Sequence, residues 1–203
     1  MSMSAKDAAA VIAELRGNGL VACTMSAMHA IFEVSPSPLN VSSVPLMGGA
    51  SGLGLGLALS QPDRRVFILD GDSSLLMQLG VLTTIADQAP ANLVHLVFKN
   101  NVQFAGFSNT PVSGRGKVDF AAMAIAAGYR WARVASDQAG LRAALTAPKG
   151  AQGPGLIELE ITAPPSLAMR GPVVRVMPEK QFTRMGEEAR AMMQALDTLP
   201  GEA

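Results

Sequence analysis

Two short stretches hold residues able to do chemistry together. The first is Asp70-Gly71-Asp72-Ser73-Ser74, and the second is Lys99-Asn100-Asn101-Val102-Gln103. Each follows an apolar run, VFIL over 66–69 and NLVHLVF over 92–98, so each begins where a buried strand should end. The Asp72 carboxylate, a carboxamide oxygen of the Asn pair and a loop carbonyl are all hard oxygen donors. Mg²⁺ takes such donors in an octahedron and fills part of its shell from a bound phosphate. Gly71 permits a sharp turn, and the N–H groups after Asp72 open a helix, where a phosphate is favoured. The structural alternatives are a helix cap at Asp72, helped by Ser73 or Ser74, and a simple turn at Asn100-Asn101. Between Asp72 and Asn101 lie 28 residues, room for one helical crossover between neighbouring parallel strands. That spacing sets the two stretches side by side and favours a joint site for Mg²⁺ and a diphosphate.

The elements that must position this pair alternate along the chain. Ala8, Val11, Ile12 and Leu15 share one face of a helix over 5–16, and 20–24 reads as a strand. A helix over 25–32 and a weaker strand over 39–44 follow. Residues 48–65 carry small residues at helical spacing, Gly48, Gly52 and Gly56 beside Ala50, Gly54 and Ala58. Each glycine costs a helix about 1 kcal/mol, so close packing must offset it. Next come the strand 66–69, helical residues 74–87 broken at Gly80, and the strand 92–98. Residues 100–118 form a loop of 19 residues, long enough to suggest a function. Asp119 caps a helix over 120–127, and 129–134 is an outer strand. A helix over 137–146, a strand over 155–162, a Pro-rich segment and a helix over 179–196 complete the chain. The expected architecture is α/β, a three-layer sandwich with a mostly parallel central sheet, in one domain over 1–203. Ligands of such sheets bind outside the carboxyl ends of the strands.

Composition excludes several classes. Sixteen basic and sixteen acidic residues cancel with no basic run, so nothing points to nucleic acid. Cys23, the single cysteine, lies in the apolar stretch LVACTM and reads as a buried structural thiol. The N-terminus has no long apolar core of a signal peptide. The apolar run LGLGLAL is too short to span a membrane. The expectation is a cytoplasmic protein without a membrane segment.

GDS, then 26 residues, then NN resembles the thiamine diphosphate motif, in which Gly-Asp-Gly precedes Asn-Asn by one crossover. The stretch PLMGGASGLGLGLALSQPDRRVFILDGDSSLLMQLG strengthens the likeness. The chain is similar to the diphosphate-binding (beta) subunit of the sulfopyruvate and phosphonopyruvate decarboxylases, most closely over 45–101. This resemblance implies the diphosphate-binding (PP-type) fold, with thiamine diphosphate and Mg²⁺ as cofactors. It implies Asp72, the Asn101 side chain and the Gln103 carbonyl as metal ligands. Gly71, Ser73 and Ser74 would meet the diphosphate, with Gly48 and Phe104 also lining the cofactor. Met47 would be the apolar wedge that bends it, and Pro45 or Leu46 would offer a carbonyl to its aminopyrimidine. Ser73 stands where the family has Gly; a φ above zero there would cost Ser about 1 kcal/mol or more.

The resemblance further implies a glutamate facing the pyrimidine, carried on a separate pyrimidine-binding domain for which this chain has no room. Glu33, Glu158, Glu160, Glu187 and Glu188 read as solvated charges or ion pairs, with Glu158 and Glu160 on an outer strand. The expectation is half an active site, completed by a pyrimidine-binding (alpha) subunit in a hetero-oligomer. His29, Arg115, Arg170 and Arg175 are candidates to contact a small 2-oxo acid, His29 and Arg115 being assigned to catalysis. His95, inside a buried run, reads as a core histidine with satisfied hydrogen bonds. The function expected is decarboxylation of a 3-sulfo- or 3-phosphonopyruvate-like 2-oxo acid to an aldehyde. The rivals are a carboligase subunit, like an acetolactate synthase, and a non-catalytic diphosphate-binding or scaffold module.

Overall fold

The computed structural model describes residues 3–43, 46–146, 153–166 and 184–198. Six strands form one parallel sheet: β1 (Leu20–Cys23), β2 (Asn40–Ser42), β3 (Val66–Gly71), β4 (Leu93–Lys99), β7 (Trp131–Ala135) and β8 (Gly155–Glu160). Their order is β2-β1-β3-β4-β8-β7. The chain runs outward from β1 to β2 and then returns to the other side of β1 as β3. The direction of winding therefore reverses between β1 and β3, which is where open α/β sheets form a ligand crevice.

Alternation along the strands assigns the two helical layers. Phe67, Leu69, Leu96 and Phe98 face α1 (Ala5–Leu15), α2 (Met25–Val34) and α7 (Gln138–Thr146). Val66, Ile68, Leu93 and Val97 face α3 (Gly49–Ser60), α4 (Asp72–Met77), α5 (Val81–Gln88) and α6 (Phe120–Ala127). The three-layer sandwich expected from the alternating pattern is the fold observed. Helix α1 starts with a capping box, Ser4 Oγ accepting from Asp7 N and Asp7 from Ser4 N. In α3 the row Ala50, Gly54 and Ala58 is buried against the sheet, and a Cβ on Gly54 would lie 2.3 Å from Ile68 Cγ1. Gly52 and Gly56 face outward, with nothing within 4 Å of such a Cβ. The small-residue face thus brings helix and sheet backbones close, which explains glycines that otherwise weaken a helix.

Helix α8 (Arg184–Ala195) returns to the far edge of the sheet. Its Glu188 accepts from the backbone N–H of Ser42 at 2.7 Å and from its hydroxyl at 2.6 Å. Arg184 pairs with Glu188 at 2.5 Å and lies over the Phe32 ring, while Met192 packs with Ala22 and Val41. Of the two readings of Glu188, solvated charge or ion pair, the ion pair is observed, and the carboxylate is also anchored to the edge strand. Two expectations change. The loop 100–118 contains a two-stranded antiparallel ladder, β5 (Val102–Gln103) with β6 (Thr110–Pro111). Strand β8 lies between β4 and β7, so the strand bearing Glu158 is an inner one and Glu158 is buried. The first residues of the expected terminal helix, 179–183, fall outside the described residues, as do Pro45, Arg170 and Arg175.

Candidate functional site

The carboxyl ends of β3 and β4 meet as neighbours, with Gly71 in register with Phe98. Gly71 is the N-cap of α4 and Asp72 its first residue, so Asp72 is not itself the cap. Its Oδ1 accepts from Ser73 N at 2.7 Å and its Oδ2 from Asn101 N at 2.6 Å. The carboxylate thus ties the two strand ends together. Asp72 is only 2% exposed. Burial pushes its pKa up from the ordinary carboxylate value, against the backbone N–H groups of Asn101, Ser73 and Asn100 and the charge of Lys99. A buried carboxylate under that strain is stabilised by a cation beside it.

Asn101 adopts φ +61°, a left-handed conformation that Asn tolerates. Its carbonyl accepts from Val112 N at 3.2 Å and its Oδ1 from Gly116 N at 3.3 Å. A carboxamide oxygen has two lone pairs, so Oδ1 retains one for a further partner. Asn100, by contrast, turns its Oδ1 onto Val102 N at 3.0 Å and shapes the turn. Gln103 follows in β5 and is half-buried. Phe104 is 67% exposed at φ +51°, a conformation that costs a non-glycine residue about 1–3 kcal/mol. Met25, at φ +50°, begins α2 at the carboxyl end of β1. Met25 and Asn101, at the carboxyl ends of β1 and β4, are thus two backbone outliers on one rim of the sheet, and Phe104 and Asn109 (φ +49°) are two more in the loop that follows.

Ser73 is absent from the residues with positive φ and lies in the first turn of α4, so Ser in place of Gly carries no such strain. Among the described residues its hydroxyl makes no hydrogen bond, and Ser73 is 8% exposed. Ser74 is fully buried, and its Oγ accepts from Gly48 N at 2.7 Å. Ser74 thus ties the turn before α3 to helix α4, and a hydroxyl that accepts one bond still has its own O–H to donate. Gly48 has φ +83°, and a Cβ there would lie 2.6 Å from Gln78 Cγ, so only glycine fits that approach. Met47, just before it, is half-buried; Leu46 is 58% exposed, its carbonyl accepting from Gly49 N and the Ser43 hydroxyl.

Arg115 is exposed between Gly114 and Gly116, both at φ +71°. His29 is exposed on α2, while Asp72, Ser73 and Asn101 gather at the ends of β3 and β4. His95 is buried, 3.4 Å from Ser51 Oγ and 3.2 Å from the Tyr129 hydroxyl, the satisfied core histidine expected. Ser51 also donates to Asp70 at 2.9 Å. This buried network behind the site was not foreseen, because its members lie on α3, β3, β4 and the connection from α6 to β7.

The donor set suits a hard cation. Among the described residues no three His, Cys, Asp or Glu side chains cluster as a metal site, so a metal here must rely on one carboxylate, a carboxamide and carbonyls. That is the chemistry of Mg²⁺ with a phosphate-bearing partner, and Asp72 and Asn101 fit it.

Comparison with known proteins defines the class. Residues 21–159 match the family described as thiamine pyrophosphate enzyme, C-terminal TPP binding domain, and the chain belongs to that family. Among its relatives is the phosphonopyruvate decarboxylase of Streptomyces hygroscopicus, 41% identical over 146 residues, which are 72% of this chain and 35% of that protein. Sulfopyruvate decarboxylase subunit beta of Methanothermobacter thermautotrophicus is 38% identical over 119 residues, 58% of this chain and 63% of that subunit. The matched part thus spans little more than a third of the first relative's length. A solved chain from Mycobacterium smegmatis, described as a thiamin diphosphate-dependent enzyme, superposes with a TM-score of 0.66 at 17% identity. It covers 80% of this chain and 32% of its own, and supports the fold alone.

Proposed function

We propose that the chain is the diphosphate-binding half of a thiamine diphosphate- and Mg²⁺-dependent 2-oxo acid decarboxylase. In this reading the whole chain is one cofactor-binding domain. Its active site is completed by a pyrimidine-binding partner in a hetero-oligomer, which supplies the glutamate this domain lacks. Asp72, the Asn101 side chain and the Gln103 carbonyl hold the metal. The Ser73 hydroxyl and the turn at Gly71 receive the diphosphate, Met47 and Gly48 support the cofactor from the α3 side, and Phe104 covers it from the loop. Bound thiamine diphosphate supplies the electron sink for loss of CO₂. Arg115 and His29 are proposed to approach the substrate from the rim. A 3-sulfo- or 3-phosphonopyruvate-like substrate is favoured because relatives at 41% and 38% identity carry those names. No described helix is long and apolar enough to cross a membrane, and a cytoplasmic setting is part of the proposal.

The observation that carries this reading is the buried Asp72 carboxylate bonded to Asn101 N across two strand ends. Calorimetric titration with thiamine diphosphate and Mg²⁺, on wild type and Asp72→Ala, tests the cofactor site. Binding by wild type alone of the two is expected; no binding by wild type, with or without its partner, overturns the proposal. Assay of the assembled enzyme with sulfopyruvate and phosphonopyruvate then separates the reactions. An aldehyde product supports decarboxylation, and an acetoin-type product points to carboligation instead.

A further inference from the structure

Beside Asp72 and Asn101 lies a buried ion pair. Lys99 ends β4, two residues before Asn101, and pairs with Glu158 of the adjoining strand β8. The two side chains are 11% and 4% exposed. The Lys99 ammonium also donates to the Val118 carbonyl at 2.8 Å. The second Glu158 oxygen accepts from Phe120 N at 2.7 Å and Ala121 N at 3.3 Å, the first N–H groups of α6. Glu158 is thus held on the α6 side of the sheet by three donors. Gly71 is in register with Phe98, so Asp72 and Lys99 are the next residues of adjacent strand ends, and Asp72 bonds Asn101 N two residues beyond Lys99. The three fixed charges, Asp72, Lys99 and Glu158, leave one net negative charge. Without Glu158 they would leave none, and Lys99 would be a competitor for Asp72.

We propose that Glu158 is a positioning residue for the cation site: it holds the Lys99 ammonium toward α6, so that Asp72 meets the metal with its charge uncancelled. The inference rests on the reading of Asp72 as a Mg²⁺ ligand. It separates the ion pair's electrostatic work from a purely structural one. A structural pair matters to stability alone; a charge-balancing pair matters to cation affinity and can be replaced by two neutral groups together.

The test is calorimetric titration of the full chain with Mg²⁺ at saturating thiamine diphosphate. Wild type, Glu158→Gln, Lys99→Met and the double variant are compared. Gln keeps an oxygen for the α6 N–H groups, and circular dichroism and melting confirm each fold. Glu158→Gln is expected to weaken Mg²⁺ about tenfold, the size of one unit charge lost two strands away, about 10 Å, in a partly buried setting. The double variant is expected to return to within about threefold of wild type, and Lys99→Met to bind as tightly as wild type or tighter. Unchanged affinity in Glu158→Gln, or a loss the double variant fails to restore, overturns the proposal. Should Glu158→Gln not fold, Lys99→Met decides alone: weaker Mg²⁺ binding overturns it. A wild type that shows no Mg²⁺-dependent binding sinks the cofactor reading itself, and that outcome is distinct from binding that Glu158→Gln leaves intact.

Discussion

The Asp72 carboxylate accepts the Asn101 backbone N–H at 2.6 Å, so the ends of β3 and β4 are joined through a side chain before any ligand arrives. The joint is built from a group that is uncomfortable where it sits, because burial works against its charge. Asp72→Asn removes the charge and keeps one acceptor, for Asn101 N, but turns an NH2 toward Ser73 N. Relief of the buried charge and loss of that one bond oppose each other, so the cofactor-free variant should melt close to wild type, while thiamine diphosphate and Mg²⁺ binding falls about a hundredfold or more. Thermal melts and calorimetry on the same samples check both halves; retained Mg²⁺ affinity would count against Asp72 as a ligand.

The same carboxyl sets a pH dependence. Its folded pKa lies above its unfolded one, so the folded state holds the proton more tightly. The contribution of Asp72 therefore makes the cofactor-free chain more stable as pH falls from above the folded pKa to below the unfolded one. Mg²⁺ needs the ionised form. Its affinity should fall about tenfold per pH unit below the folded pKa, and should begin to fall at a higher pH than an ordinary carboxylate would dictate. Titrations from about pH 7 to about pH 4, with Asp72→Asn melts as the control, read both trends.

Cys23 is wholly buried, with its thiol against the Val41 carbonyl at 3.5 Å. Burial pushes the thiol pKa up, helped by the charge of Glu188. Reaction with a thiol reagent at neutral pH should then track global unfolding, with a rate that rises only as denaturant approaches the unfolding midpoint. Rapid labelling of the native chain would contradict the buried placement.

The two faces of α3 should answer alanine in opposite ways. Gly54→Ala forces a methyl to 2.3 Å from Ile68 Cγ1 and should destabilise by about 1–3 kcal/mol. Gly52→Ala meets nothing and should stabilise the free chain by up to about 1 kcal/mol. Urea unfolding of the two variants measures the contrast.

Phe104 holds a left-handed backbone with its ring in water. Phe104→Gly should relieve that strain and raise the stability of the cofactor-free chain by about 1 kcal/mol. If the ring covers the cofactor, the same variant binds thiamine diphosphate more weakly. A stability gain with unchanged binding would remove Phe104 from the site.

The layers were legible because the apolar runs at 66–69 and 92–98 are short, bounded by turns and separated by one helical period. The break at Gly80 and the Asp119 cap were equally local, and both are present, Asp119 Oδ1 accepting from Ala122 N at 2.7 Å. The partnership of Asp72 with Asn101 was legible through spacing alone. What escaped depends on strand order, which no local pattern encodes. Glu158 alternates with Glu160 as on a half-exposed strand, yet β7 adds outside β8, α6 closes over it, and only Glu160 stays exposed. The role of Ser74 was hidden for a similar reason: its partner, Gly48, is 26 residues away and contributes only a backbone N–H.

The contact of Glu188 with Ser42 has a consequence for solubility. A carboxylate on the outward N–H of the last β2 residue occupies the place where another strand would dock. The edge strand is thus sealed by the chain's own final helix. Removal of the segment from 184 onward would leave β2 open to pairing with a second molecule, the usual start of edge-to-edge aggregation.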